Sequence, residues 1–246
     1  KKQDVEPLLS IQNVLNRKKI GEGAYSVVER GLFRSEPIVC KRLKGSMLSS
    51  GYRGAFDYEV EVLRKLPTNS FVVRFFGCQI YQDVGFIFLE SCDFSLRTYL
   101  SKNSDGLSLR TAQLIFSQLC AGLQFLYNQD ICHRDIKPEN ILLKENNGDL
   151  LVKYADFGSA VCFSEKKNAK ALLAIFEECR MLMTPIYKPY ELWDQGELDD
   201  FIQSTDYSCR ESNLFRQAYV NCHKNPKYGY SLKMVSMLYN ELWLLD

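Results

Sequence analysis

Eight consecutive residues constrain this chain more than any other feature: His133-Arg134-Asp135-Ile136-Lys137-Pro138-Glu139-Asn140. A guanidinium, a carboxylate, an ammonium and an amide stand within one stretch, which Pro138 stiffens by fixing its own backbone torsion. The chain has only two histidines, and one of them opens this stretch. So many polar groups are hard to justify in a loop that merely connects, because each must be solvated or paired. The flanking sequence says where the loop sits. Before it, Ala112, Ile115, Leu119, Leu123 and Leu126 recur at helical spacing, which predicts a long helix over 108–128 with Ser108 as its cap. After it, Ile141-Leu142-Leu143, the turn residues Asn146-Asn147-Gly148-Asp149 and Leu150-Leu151-Val152 read as a hairpin. Asp156-Phe157-Gly158 follows the hairpin directly. Alone that tripeptide is an ordinary turn; its place after the polar loop gives it weight.

The first third of the chain has a different texture. Residues 14–43 read as strands, with Val27-Val28 and Ile38-Val39-Cys40 as their apolar cores, and strand-like runs return at 71–80 and 84–90. Between them, Phe56, Val60, Leu63 and Leu66 mark one face of a helix over 53–66, which Pro67 ends. Two features here carry chemistry. In Gly21-Glu22-Gly23-Ala24-Tyr25-Ser26-Val27-Val28, the glycines allow close approach of backbone N–H groups to phosphates, although a simple glycine turn reads the same way. A dinucleotide fingerprint is excluded, because Ser26 stands where its third glycine belongs and a strand follows instead of a helix. Lys41 ends an apolar strand, where its ammonium must reach water or a carboxylate. Glu59 and Glu61 on the helix both offer one, but they lie about 200° apart around its axis, so only one can face the lysine.

Strands first and helices later argue for an α+β chain, with a changeover near residue 92. The length of 246 residues allows one large domain or two lobes about a cleft. With 31 basic against 30 acidic residues, charge gives no reason to expect nucleic acid or an anionic membrane as partner. No apolar run approaches the ~20 residues of a membrane span. Nine cysteines without a CxxC pair suggest neither a disulfide framework nor a zinc site, and point to an intracellular, reducing compartment, cytoplasmic or nuclear. The opening Lys1-Lys2-Gln3-Asp4 does not read as a secretion signal, and the lack of an initiator Met leads us to expect an excised domain.

Taken in order, the glycine loop, Lys41, Glu59, the 133–140 loop and Asp156-Phe157-Gly158 resemble the eukaryotic protein kinase family over roughly residues 17–193. The resemblance implies a two-lobed kinase fold. Its N-lobe, about 14–91, is a small antiparallel sheet with one helix; its C-lobe, about 92–246, is mainly helical. The activity implied is transfer of the γ-phosphate of Mg-ATP to Ser or Thr hydroxyls of a protein substrate, with ATP and Mg2+ as cofactors. Gly21 and Gly23 would cover the phosphates, with Ile20 ahead of them at the nucleotide. Lys41, fixed by Glu59, would bind the α- and β-phosphates. Asp135 would take or orient the substrate proton, Lys137 would neutralise the transferring group, and Asn140 and Asp156 would hold magnesium. Val28, Val39 and Leu142 would enclose the adenine ring, Leu89 would guard the back pocket, and backbone groups of Glu90 and Cys92 would read the base. Asp93 or Ser95 could reach the ribose. Lys137 and Thr184-Pro185-Ile186-Tyr187 resemble the serine/threonine branch. Arg134 resembles a phosphate-pairing arginine, for which Ser159 and Ser164 are the candidate modification sites.

The sequence departs from the family toward its end. Pro189-Tyr190-Glu191 replaces the usual Ala-Pro-Glu, and Asp206 matches the family's helix aspartate poorly. Arg210 and Arg216 are the only arginines after Glu191, and neither has the family's context. We therefore expect a C-lobe shortened or rebuilt after 191, with a helix at about 231–244 from Met234, Val235, Leu238, Leu242 and Leu245. Two other readings compete: a pseudokinase or nucleotide-binding scaffold, favoured by these departures, and a small-molecule kinase of the aminoglycoside or choline type, opposed by Lys137.

Overall fold

In a computed structural model, residues 9–103, 106–146 and 148–162 are described. They divide into two compact units that meet in sequence at Asp93 and Phe94. The expectations for Ser164, Thr184, Glu191, Asp206, Arg210, Arg216 and the helix at 231–244 lie outside the described residues.

The first unit is a five-stranded antiparallel sheet in the order β1-β2-β3-β5-β4. Its strands are β1 (Leu15–Glu22), β2 (Ser26–Phe33), β3 (Glu36–Leu43), β4 (Phe75–Tyr81) and β5 (Val84–Glu90), with helix α1 (Ser50–Lys65) between β3 and β4. Two hairpins are closed by two-residue turns in which both residues have positive φ, Arg34-Ser35 and Gln82-Asp83. Such turns match the right-handed twist of the strands they join. The helix begins at Ser50, three residues before the expected start at 53, and Leu66 ends it, donating its N–H to Val62 O at 3.3 Å ahead of Pro67. β4 begins at Phe75 rather than 71: Val72 and Val73 are buried, but regular pairing starts only after Arg74, whose carbonyl takes the Glu90 N–H at 2.9 Å.

Alternation along the strands gives the sheet two distinct faces. On one, Ile38, Cys40, Phe86 and Phe88 form a core with Ile11 and Val14 from a single 3-10 turn (Ile11–Asn13) and the residue after it. Gln79 fastens that turn: its Oε1 accepts from the Ile11 N–H at 2.8 Å and from Ser10 Oγ at 3.1 Å. On the other face, Val28 pairs with Lys41, Lys41 with Ile87, and Val39 with Leu89. Phe56 of α1 packs on this face beside Gly85, where an added Cβ would come within 2.8 Å of its ring.

The second unit begins with β6 (Phe94–Ser95) and α2 (Leu96–Lys102), which sequence periodicity did not reveal, and continues with α3 (Leu109–Asn128). Ser95 and Ser108 cap the two helices, each accepting from the N–H three residues on at 3.1 Å, a contribution of about 1 kcal/mol apiece. The expected stripe of α3 is buried, joined by Gly122. The hairpin forms as β8 (Ile141–Asn146) and β9 (Asp149–Tyr154), with β6 pairing on the outside of β8. β7 (Ile131–Cys132) and β10 (Val161–Cys162) make a second, two-stranded pairing. α3 carries the hairpin on specific bonds: Gln118 donates to Leu150 O at 2.8 Å and accepts from Val152 N at 3.0 Å, and Tyr154 Oη donates to Leu119 O at 2.9 Å. Among the described residues, no helix is long and apolar enough to cross a membrane.

Candidate active site

The strand register of the first unit collects one group of side chains. Lys41 and α1 share a face of the sheet, so the lysine meets whichever carboxylate the helix turns inward. That is Glu59: its Oε1 and Oε2 lie 2.7 and 2.9 Å from Lys41 Nζ, with the lysine side chain 12% and the glutamate 6% exposed. Glu61 points outward and pairs with Lys65 one turn along. Val39 and Leu89 lie buried in the neighbouring row, and Val28 is half-buried beside Lys41. Cys92 is buried, and Glu90 is half-buried at the end of β5. Ile20 stands exposed on β1.

The glycine loop joins β1 to β2. Gly23 donates its N–H to Ser26 O at 2.9 Å, closing the turn, and nothing lies within 4 Å of where a Cβ would project at this position. Glu22 between the glycines is exposed and held by Lys19 and by Lys44 at 2.5 Å. Hydrogen bonds from these ammonium groups push its pKa down to about 2.

The second unit collects the other group. Asp135 is its centre: Lys137 Nζ and Asn140 Nδ2 each lie 2.8 Å from Asp135 Oδ2. Asn140 Nδ2 also donates to Asp135 O at 2.8 Å, which curls the loop onto itself. Asn140 is buried, and its carbonyl takes the Ala155 N–H at 2.9 Å, so the loop is sewn to the strand that leads to Asp156. Both ends of this arrangement hold unusual backbone. Arg134 and Asp156 have φ of 65° and 64°, a region costly for residues other than glycine. Arg134 is held there by its guanidinium, whose Nε donates to Ser159 O. Leu142 lies half-buried on β8, and Asp156 itself is exposed.

His133 locks the loop, a role its motif did not reveal. Its ring is buried against Phe157, with centroids 4.9 Å apart. Nε2 lies 2.9 Å from the carbonyl of Ala155, so it must carry the proton; Nδ1 then accepts the Asp135 N–H at 3.3 Å. That bonding requires a neutral ring. Burial supplies it, lowering the pKa below the ordinary 6.5, against the opposing pull of the Ala155 bond and the Asp156 and Asp135 carboxylates. From about pH 6.5 down to the lowered native value, the unfolded chain binds a proton that the native ring refuses. Stability is therefore full above this window and falls through it as pH falls, with a slope approaching about 1.4 kcal/mol per pH unit. Urea unfolding at pH 7.5 and 5.5 is expected to show this loss, and His133→Asn to flatten it; an equal loss in the variant would exclude His133 as the source.

Magnesium prefers a few protein oxygens and takes its remaining ligands from phosphate and water. The donors on hand fit that preference. Because Nδ2 of Asn140 is engaged with Asp135, its amide keeps Oδ1 for a cation, and Asp156 adds an exposed carboxylate. Among the described residues, no group of three or more His, Cys, Asp or Glu stands together as an all-protein metal cage. Ser95, a candidate for the ribose, caps α2 with its hydroxyl.

Comparison with known proteins supplies the context. The family profile described as protein kinase domain matches residues 15–207. A serine/threonine-protein kinase of Drosophila melanogaster, grp, is 33% identical over 156 residues, 62% of this chain and 29% of its own length. The Arabidopsis thaliana serine/threonine-protein kinase STY46 is 32% identical over 58% of this chain and 24% of its own. Human cyclin-dependent kinase 15 is 30% identical over 63% of this chain and 35% of its own. The chain thus spans about a third or less of the length of these relatives.

Proposed function

The chain belongs to the protein kinase family, and on that footing we propose that it transfers the γ-phosphate of Mg-ATP to serine and threonine hydroxyls of protein substrates. The observation that carries this reading is the Asp135 centre: one carboxylate with an ammonium and an amide each 2.8 Å from it, in a loop locked by a buried neutral histidine. Asp135 accepts the proton of the attacking hydroxyl. Lys137, already beside that carboxylate, neutralises charge on the phosphoryl group as it moves. Lys41, fixed by Glu59, binds the α- and β-phosphates, and the glycine-loop amides cover them. Val28, Val39 and Leu142 enclose the adenine, with Ile20, Leu89, Glu90 and Cys92 around it. Asn140 and Asp156 would hold magnesium, which when bound would supply positive charge beside the phosphate oxygens. The protein's part is positioning and charge stabilisation, which this class of reaction mostly requires. The serine/threonine preference is supported by Lys137 and by the similarity to serine/threonine-protein kinases of fly and Arabidopsis.

Incubation with γ-labelled ATP, magnesium and generic protein substrates tests the reading. Label is expected on serine and threonine, and EDTA should abolish it. Nucleotide binding without label transfer to any substrate would favour the scaffold reading instead.

A further inference from the structure

Arg30 shares the face of the sheet that carries Lys41. It pairs across strands with Val39, and Val39 with Leu89, so the three stand in one row beside the row of Val28, Lys41 and Ile87. From β2 its guanidinium crosses to the segment after β5, where a terminal nitrogen donates to the backbone carbonyl of Cys92. The placement runs against local preference in two ways. Arg30 sits opposite Lys18 on β1, a like-charge pairing. Its Nε is buried and meets no acceptor among the described residues. An apolar residue would fill this position on the sheet without either penalty.

We propose that Arg30 is a specificity-determining residue of the nucleotide site: it masks the Cys92 carbonyl, leaving the Cys92 segment as a hydrogen-bond donor to ligands but not as an acceptor. This rests on the reading above that Cys92 faces the base. A carbonyl oxygen has two lone pairs, so the guanidinium does not fill it by count alone. It excludes a second donor by charge and bulk, because any ligand N–H aimed at that oxygen must also approach the cation already bonded to it. Ligands that place a ring nitrogen against the Cys92 N–H are unaffected. Ligands that add an adjacent N–H for the Cys92 carbonyl gain nothing from it. Specificity here is a difference between two affinities, set by an element that repels one of them.

A matched pair of probes reads this directly. 2-Anilinopyrimidine offers a ring acceptor and an adjacent N–H donor; 2-phenoxypyrimidine replaces that N–H with an ether oxygen. Their Kd values, and that of ATP, are measured by calorimetry on the whole chain, wild type and Arg30→Met, which keeps an apolar stem. In the wild type the two probes should bind within about threefold of each other. In Arg30→Met the anilino compound should gain on the order of tenfold, the worth of one net hydrogen bond, while the phenoxy compound and ATP hold steady. Arg30→Lys, which keeps a cationic donor, should return the anilino compound toward its wild-type value and guards against a general loosening of the sheet. If the anilino preference is the same in wild type and Arg30→Met while both bind ATP, the inference fails and the nucleotide reading stands. If neither protein binds ATP or either probe, the nucleotide reading fails and takes the inference with it.

Discussion

Asp135→Asn is expected to lower kcat by on the order of 10²–10⁴, the usual worth of a positioned proton acceptor. The substitution separates chemistry from architecture. An asparagine amide can still turn its oxygen toward Lys137 Nζ and Asn140 Nδ2, which both meet Oδ2 of the aspartate. The backbone bonds from Asp135 N to His133 and from Asn140 to Asp135 O do not depend on the carboxylate at all. The loop should therefore keep its shape, and thermal unfolding should shift little. What disappears is the charge and the ability to take a proton. Steady-state kinetics should show kcat falling while the KM for ATP stays within a few-fold. Near wild-type turnover would mean that another group accepts the proton.

Lys41→Met is expected to cost turnover by a comparable factor, on the order of 10²–10³, since it removes fixed positive charge from the phosphates. Here architecture suffers as well. Glu59 is 5% exposed, and the substitution takes away the ammonium opposite its carboxylate. Removing one member of a buried ion pair typically costs roughly 3–5 kcal/mol, far more than the pair adds when intact. Replacing both, Lys41→Met with Glu59→Leu, should restore most of that stability without restoring activity. If the single variant is as stable as wild type, burial of the pair is less complete than described. If the double variant regains activity, Lys41 does not act on the phosphates.

Local chemistry made much of this legible beforehand. The Ser108 cap, the 108–128 stripe and the hairpin at 141–152 follow from local periodicity and turn chemistry, whereas for Lys41 helical geometry said only that one of Glu59 and Glu61 could face it, and the family resemblance chose Glu59. What was missed depends on distant partners. Nothing near Gln79 announces that it fastens residues 10 and 11, because their sequence separation exceeds 60 residues. β6 and β7 are two residues long, too short for any period to register. The neutral state of His133 depends on burial beneath Phe157, which its own motif does not encode. Arg30 was within reach: alternation along β2 puts it on the face of Val28, and a charged residue there was a signal available before any fold was known.

The turn at Ile11–Asn13 bears on where this unit begins as a physical object. Its first strand starts at Leu15, yet Ile11 and Val14 cover Ile38, Cys40, Phe86 and Phe88. Cut at the strand, the protein would keep every ladder of its sheet and lose the cover from one side of it. Cys40, now so enclosed that its thiol pKa is pushed up to about 11, would face solvent beside two uncovered phenylalanines. Such a surface is adhesive toward its own copies and open to oxidation. The lid is a few residues of chain with no strand of their own, and the solubility of everything beneath depends on it.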